Sequence, residues 1–234
     1  MSARFLALSS ISPTITLEGL PPVLPDWVTS EVDRIWELAI SAEGARLFDG
    51  KALFVASIEE NRIDLFSFPY RFLYAQSRST ELKQAIDLKP IAVSGACLSE
   101  GLVLVGKRAN TVTQYPGFLE LVPSGGLENL GETLDYKSRL IEELEEETTI
   151  KKENILRIDT IGICFDQKES TYDICCTIML PAGFSRQPIS SPTDEYTQLT
   201  WQNPGALLKQ RSVVPTSLAI IDQLESTSRQ LSGD

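Results

Sequence analysis

The run Glu142-Glu143-Leu144-Glu145-Glu146-Glu147 places five carboxylates within two helical turns. At 100° per residue, Glu143, Glu146 and Glu147 fall at relative angles of roughly 0°, −60° and +40°, which makes one acidic stripe. Leu140, Ile141 and Leu144 take the adjoining face, at roughly +60° to +160°. Such a helix buries its apolar residues and presents three carboxylates at the edge of a cleft. Carboxylates this close repel, and each raises the pKa of the others. Divalent cations relieve that repulsion, and all-oxygen donors suit magnesium or manganese, with phosphate oxygens completing the shell. A bare glutamate run is more often a solvated helix face. The residues upstream shift that balance. Pro123-Ser124-Gly125-Gly126 follows an apolar strand, and its glycines allow a sharp turn and a close approach. Gly131-Glu132 then precede the helix.

Composition narrows the chemistry further. The 234 residues include no histidine, which removes Ser-His-Asp and Cys-His catalysis, histidine-zinc sites and histidine bases. Catalysis must then come from carboxylates, Lys, Tyr, Cys or metal-bound water. The net charge of −11 disfavours nucleic-acid binding, although a small nucleotide can be held through cations set between carboxylates and phosphates. A hydrophobic content of 42% supports one large domain or two small ones. Cys97, Cys164, Cys175 and Cys176 form no CxxC pair, and are expected to be reduced residues of sheets in a cytoplasmic protein. The apolar stretch Phe5-Leu6-Ala7-Leu8 is broken too soon by Ser and Pro to read as a signal peptide, and no stretch is long enough to span a membrane.

The elements that must position the acidic helix follow from periodicity. Residues 1–25 read as an irregular lead-in rich in Ser and Pro. Asp26 or Thr29 caps a helix running to about Ala42, with Trp27, Val28, Val32, Ile35, Trp36, Leu38 and Ala39 at helical spacing. Gly44 ends it. Ala52–Ile58 and Ile63–Phe68 read as strands, and Tyr70–Leu88 as helix in one or two pieces. From Ile91 the pattern changes. Ala92–Leu98 and Leu102–Lys107 form a hairpin around Ser99-Glu100-Gly101. Phe118–Val122 is a strand and Thr133–Thr149 the acidic helix. Strands Leu156–Phe165 and Tyr172–Leu180 flank a polar loop. Tyr196–Trp201 is a last strand, Asn203-Pro204-Gly205 opens a short helix, and Thr216–Ser226 is the final helix. The class is α/β (α+β), with an N-terminal α+β region over 1–90 and the main domain over 91–234.

Residues 123–150 resemble the Nudix box, G-x5-E-x7-R-E-U-x-E-E-x-G-U with U apolar. Gly126 to Glu132 reproduces G-x5-E, Glu143-Leu144-Glu145-Glu146-Glu147 reproduces E-U-x-E-E, and Ile150 stands as the final U. Val93–Arg108 looks like the usual first hairpin. Glu120-Leu121-Val122-Pro123-Ser124-Gly125 is similar to a segment common in members acting on ADP-ribose and other nucleotide sugars. The likeness covers residues 91–225 and implies a Nudix-type α/β/α sandwich with a mixed sheet. Two extra residues separate Glu132 from the helix core, the box arginine is replaced by Glu142, and the box glycine by Thr149, a poor left-handed residue. Arg139 lies one turn before Glu143 and can stand in for the arginine.

The resemblance implies hydrolysis of a nucleoside diphosphate linked to another moiety. Magnesium or manganese would sit on Glu143, Glu146 and Glu147, with the carbonyl of Gly125 or Gly126 as a further ligand. Glu195 or Asp194 is a further ligand or the general base, unless the pair is simply an acidic turn. Arg108 is a candidate for a phosphate, with Glu120, Gly125 and Gly126 beside the substrate. Walls for a two-ended substrate would come from residues 26–90, of the same chain or of a homodimer partner. Trp27, Trp36, Phe66, Phe68, Tyr70, Phe72 and Tyr74 are candidates to stack a base, but packing among themselves is the expected role. The rival readings are a nucleotide-binding module with little turnover, and a calcium-binding acidic helix, for which no D-x-D-x-D-G loop is present.

Overall fold

A computed structural model of the chain describes residues 3–6, 13–43, 47–127 and 134–232. They fall into two units: Met1–Ser12, Ala92–Gly126 and Asp135–Asp234 in one, Pro13–Ile91 and Leu127–Leu134 in the other. After β1 (Ala3–Leu6), the chain builds the smaller unit from β2 (Thr14–Thr16), α1 (Asp26–Glu43), β3 (Lys51–Glu59), β4 (Arg62–Pro69), α2 (Tyr70–Arg78) and α3 (Thr80–Ile86). Its sheet has the order β2-β4-β3, with β2 parallel to β4. The apolar spacing of α1 turns Val28 and Val32 inward onto Phe54, Phe66, Phe72 and Leu82. Trp36 meets Tyr70 and Tyr74 edge-on, and Phe66, Phe68 and Phe72 pack in series. Apart from Trp27, which is exposed, the aromatic candidates therefore pack among themselves. Helix from Tyr70 onward breaks at Ser79, whose Oγ accepts from Leu82 N and caps α3.

The larger unit holds an eight-stranded sheet. Its strands are β1, β5 (Ile91–Ser99), β6 (Leu102–Arg108), β7 (Leu119–Leu121), β8 (Ser124–Gly126), β9 (Arg157–Asp166), β10 (Thr171–Met179) and β11 (Tyr196–Gln202). The order is β1-β9-β10-β5-β6-β11, with β7 on β6 and β8 on β5. The β5–β6 hairpin turns through Glu100 and Gly101, at φ of 51° and 77°, where glycine carries no penalty. The class is α/β, as the sequence indicated. All four cysteines are buried and unpaired, and among the described residues no helix is long and apolar enough to cross a membrane.

Two expectations need correction. Residues 1–25 are not irregular throughout: β1 pairs antiparallel with β9, and Phe5 and Ala3 pack against the core formed by Val105, Leu121, Cys164 and Ile220. Strands of three or four residues carry too little alternation to be read. The acidic helix, α4 (Tyr136–Glu147), is also shorter than Thr133–Thr149. Asp135 caps it by accepting from Lys137 N and Ser138 N at 3.1 and 3.2 Å. Thr148 closes it in extended conformation, its N–H donating to Leu144 O at 3.1 Å and its Oγ1 accepting from Ile150 N at 3.0 Å. A helix that ends this way needs no left-handed residue at Thr149, so the missing box glycine is accommodated. Gly131 and Glu132 lie outside the described residues.

Candidate active site

Helix α4 carries its carboxylates to the β8 segment. Leu140 and Leu144 are fully buried beneath it, which fixes its rotation. Glu143 then lies against Gly125, where a Cβ would stand 1.7 Å from Glu143 Oε1 and 2.0 Å from its Cδ. Glycine at 125 is what admits the carboxylate. A Cβ at Gly126 would meet nothing within 4 Å; its carbonyl accepts from Arg139 Nε at 3.3 Å. Arg139 Nη2 donates to Glu143 Oε1, and Nη1 donates to Glu142 Oε2 at 3.3 Å and lies 3.8 Å from Glu146 Oε1. Arg139 therefore ties Glu143 to the Gly125-Gly126 turn, the contact foreseen from its i,i+4 spacing.

Glu147 is buried at 2% exposure. Its Oε2 accepts from Ser124 N at 3.2 Å, and its Oε1 lies 3.4 Å from the Tyr196 hydroxyl, whose single proton it shares with the nearer Glu120. Burial raises its pKa well above the ordinary glutamate value; the charges of Glu120, Glu195 and Glu143 add to the rise, and the Ser124 N–H opposes it. Glu120, on β7, accepts from Arg108 Nη1 and from the Tyr196 hydroxyl, the latter at 2.8 Å. Burial pushes its pKa up too, against the lowering by Arg108 and Tyr196. Arg108 also lies 3.2 Å from Glu195 Oε1 and donates from Nε to Gln114 O at 3.0 Å. Its guanidinium thus faces carboxylates of its own chain, where the sequence offered it to a phosphate. Glu195 is half-buried and Asp194 exposed.

The acidic stripe is divided by this packing. Glu143 and Glu147 face inward, while the Glu146 side chain is 60% exposed. Among the described residues no group of three or more Cys, Asp or Glu is gathered closely enough to hold a metal ion. The donors are nonetheless all oxygen, and Glu120, Glu143, Glu147 and Glu195 set four carboxylates against the two guanidinium groups of Arg108 and Arg139. Fully ionised, those four carboxylates exceed the two guanidinium charges by two even before Glu142 and Glu146, which Arg139 also faces, are counted, and a hard divalent ion such as magnesium or manganese would offset part of that excess.

Tyr196 was not foreseen as a site residue. Its ring lies over Gly106 of β6, where a Cβ would stand 2.4 Å from the ring Cδ1. Glycine inside a strand signals such an approach, although it does not name the partner. Gly106→Ala is expected to lower stability by about 1–3 kcal/mol, because the ring must leave its place between Glu120 and Glu147. Urea unfolding measures this, and a loss under about 0.5 kcal/mol would show that the ring moves aside freely.

No family model and no curated protein matches the chain. Among solved structures it is similar to the NUDIX domain of Shewanella oneidensis NrtR complexed with ADP ribose, at 15% identity and a TM-score of 0.48, over 59% of this chain and 88% of that one. It is similar to a bifunctional NMN adenylyltransferase/ADP ribose pyrophosphatase from Francisella tularensis, at 18% identity and a TM-score of 0.49, over 66% of this chain. The match spans 45% of that protein, less than half its length. It is also similar to a C. elegans Ap4A hydrolase, at 16% identity and a TM-score of 0.45, over 62% of this chain and 99% of that one.

Proposed function

We propose that the larger unit is a Nudix-type hydrolase that cleaves a nucleoside diphosphate linked to another moiety at the diphosphate, with magnesium or manganese. The favoured substrate is a nucleotide sugar such as ADP-ribose or an ADP- or UDP-sugar. The observation that carries this reading is the Glu147 carboxylate, buried with Glu120, Glu143 and Glu195 around it and too few cations to balance them. A divalent ion held there by Glu143 and Glu147, with Glu146 and the Gly125 carbonyl as further donors, would neutralise diphosphate oxygens and lower the pKa of a bound water. The chain's own groups do the rest. Arg139 orients Glu143. Tyr196 and Ser124 N–H hold Glu147, and Arg108 holds Glu120. Glu195, half-buried and 3.2 Å from Arg108, would act as the general base toward water, and a substrate phosphate would compete with it for Arg108.

The substrate class rests on the resemblance of Glu120–Gly125 to the nucleotide-sugar branch. The test compares kcat/KM for ADP-ribose, ADP-glucose and UDP-glucose with common triphosphates, in magnesium. A triphosphate preferred tenfold, about 1.4 kcal/mol in the barrier, overturns the substrate assignment. Full activity in excess EDTA overturns the metal. One observation favours a second reading, a nucleotide-binding module with little turnover: the Glu146 side chain is 60% exposed where Glu143 and Glu147 are buried. A nucleotide sugar that raises Tm without being cleaved would establish it.

A further inference from the structure

Behind the β8 segment lies a chain of hydroxyls that ends on a buried carboxylate. Asp173 of β10 is 7% exposed, and among the described residues no Lys or Arg forms an ion pair with it. Its Oδ1 accepts from Ser94 Oγ of β5 at 2.8 Å, and its Oδ2 accepts from Thr216 Oγ1 at 3.0 Å, at the start of α6 (Pro215–Ser232). Ser94 Oγ is also 3.0 Å from Ser124 Oγ. Donor counting gives the chain a direction. Both Asp173 oxygens accept from hydroxyls, and burial pushes its pKa up to about 6 against the two hydroxyls that lower it. Ser94 gives its one proton to Asp173, and the Ser94–Ser124 bond must then be donated by Ser124.

Ser124 is the residue whose backbone N–H donates to Glu147 Oε2 at 3.2 Å. Its strand is three residues long, and it pairs with β5 at Ser94. A side-chain anchor three bonds from that nitrogen, at Ser124 Oγ, restricts how the peptide can turn. We propose that Asp173 is a positioning residue: through Ser94 and Ser124 it aims the N–H that holds Glu147, and so prepares Glu147 to take up a divalent cation. The second half of the proposal rests on the reading of Glu147 as a metal ligand.

Two variants remove one hydroxyl each from Asp173 at similar structural cost. Ser94→Ala cuts the path to Ser124, and Thr216→Ala leaves it whole. Ser124→Ala cuts the same path at a half-buried position, so a fold too weak to survive Ser94→Ala does not end the test. Two measurements apply, magnesium binding by calorimetry and amide hydrogen exchange at Ser124 in the metal-free protein. Ser94→Ala and Ser124→Ala should weaken magnesium binding and speed Ser124 exchange, each by roughly fivefold, the scale of one hydrogen bond. Thr216→Ala should change neither by more than about twofold, and Ser94→Thr, which keeps the hydroxyl, should restore both. Equal effects of Ser94→Ala and Thr216→Ala, or no effect of either cut, overturn the proposal. If the unaltered protein takes up no magnesium, the metal reading fails, and the exchange rates alone decide whether Asp173 anchors the turn.

Discussion

Glu147→Gln should give a protein that is more stable without metal and has lost its hydrolytic activity. The folded state raises the Glu147 pKa, so it holds that proton more tightly than the unfolded chain does. Stability is therefore unaffected below the ordinary glutamate value of about 4.3, and is lost as pH rises from there toward the folded pKa. Glutamine has no charge to desolvate and its amide can donate toward the neighbouring carboxylates, so the variant's advantage should be absent near pH 4 and present at neutral pH. Desolvation of one buried polar group sets its size at on the order of 1–3 kcal/mol, and each kcal/mol corresponds to about 2–4 °C in Tm. On the proposed function activity should fall by about a hundredfold or more, since Glu147 would be a metal ligand and its loss would remove several kcal/mol of stabilisation from the reacting phosphate. Magnesium should raise the Tm of the unaltered protein and leave the variant's unchanged. A variant less stable than its parent at pH 7.5 in EDTA would show that Glu147 is already well compensated.

Arg139→Ala should lower kcat by about a hundredfold, with stability falling by about 1–3 kcal/mol. The stability loss exceeds that of an exposed helical pair, because the Arg139 and Glu143 side chains are only 16% and 10% exposed. The distinguishing variant is Arg139→Lys. An ammonium keeps the charge near Glu143 and cannot span Glu143 and the Gly126 carbonyl at once, so kcat should fall about tenfold while stability stays close to that of the parent. If Arg139→Lys restores kcat fully, the guanidinium serves as a charge and does not orient Glu143.

The part of this site that lies on one helix was legible because helical period converts spacing into direction. Leu140 and Leu144 beneath and Arg139 one turn before Glu143 followed from it, while Ile141, read onto the same buried face, is only half-buried. Glu146 did not follow. Its angle put it in the same stripe, but the inward sector is narrow and is set by where Gly125 admits a side chain. The hairpin of β5 and β6 was readable from Gly101 and the alternation around it. Tyr196, Ser94 and Asp173 were not, because strand pairing brings them in from distant parts of the chain. Tyr196 sits beside Glu120 across 76 positions, and Asp173 beside Ser94 across 79. No local spacing records such neighbours.

The pairing of β1 with β9 has a consequence for the order in which the molecule can assemble. Ala3 faces Asp166 and Leu6 faces Ile163, so the first strand waits for partners roughly 160 residues downstream. At about 5–20 residues per second, the ribosome takes on the order of 8–30 s to supply them. Residues 13–91, the bulk of the smaller unit, are made well before then. Vectorial synthesis therefore favours the smaller unit as the first to become compact, with β1 joining the edge of the large sheet late, on a partner made long after it. Until that closure β1 and β9 each present an unpaired ladder, and Arg4, exposed on β1, is the kind of charge that discourages a foreign strand from taking the place first.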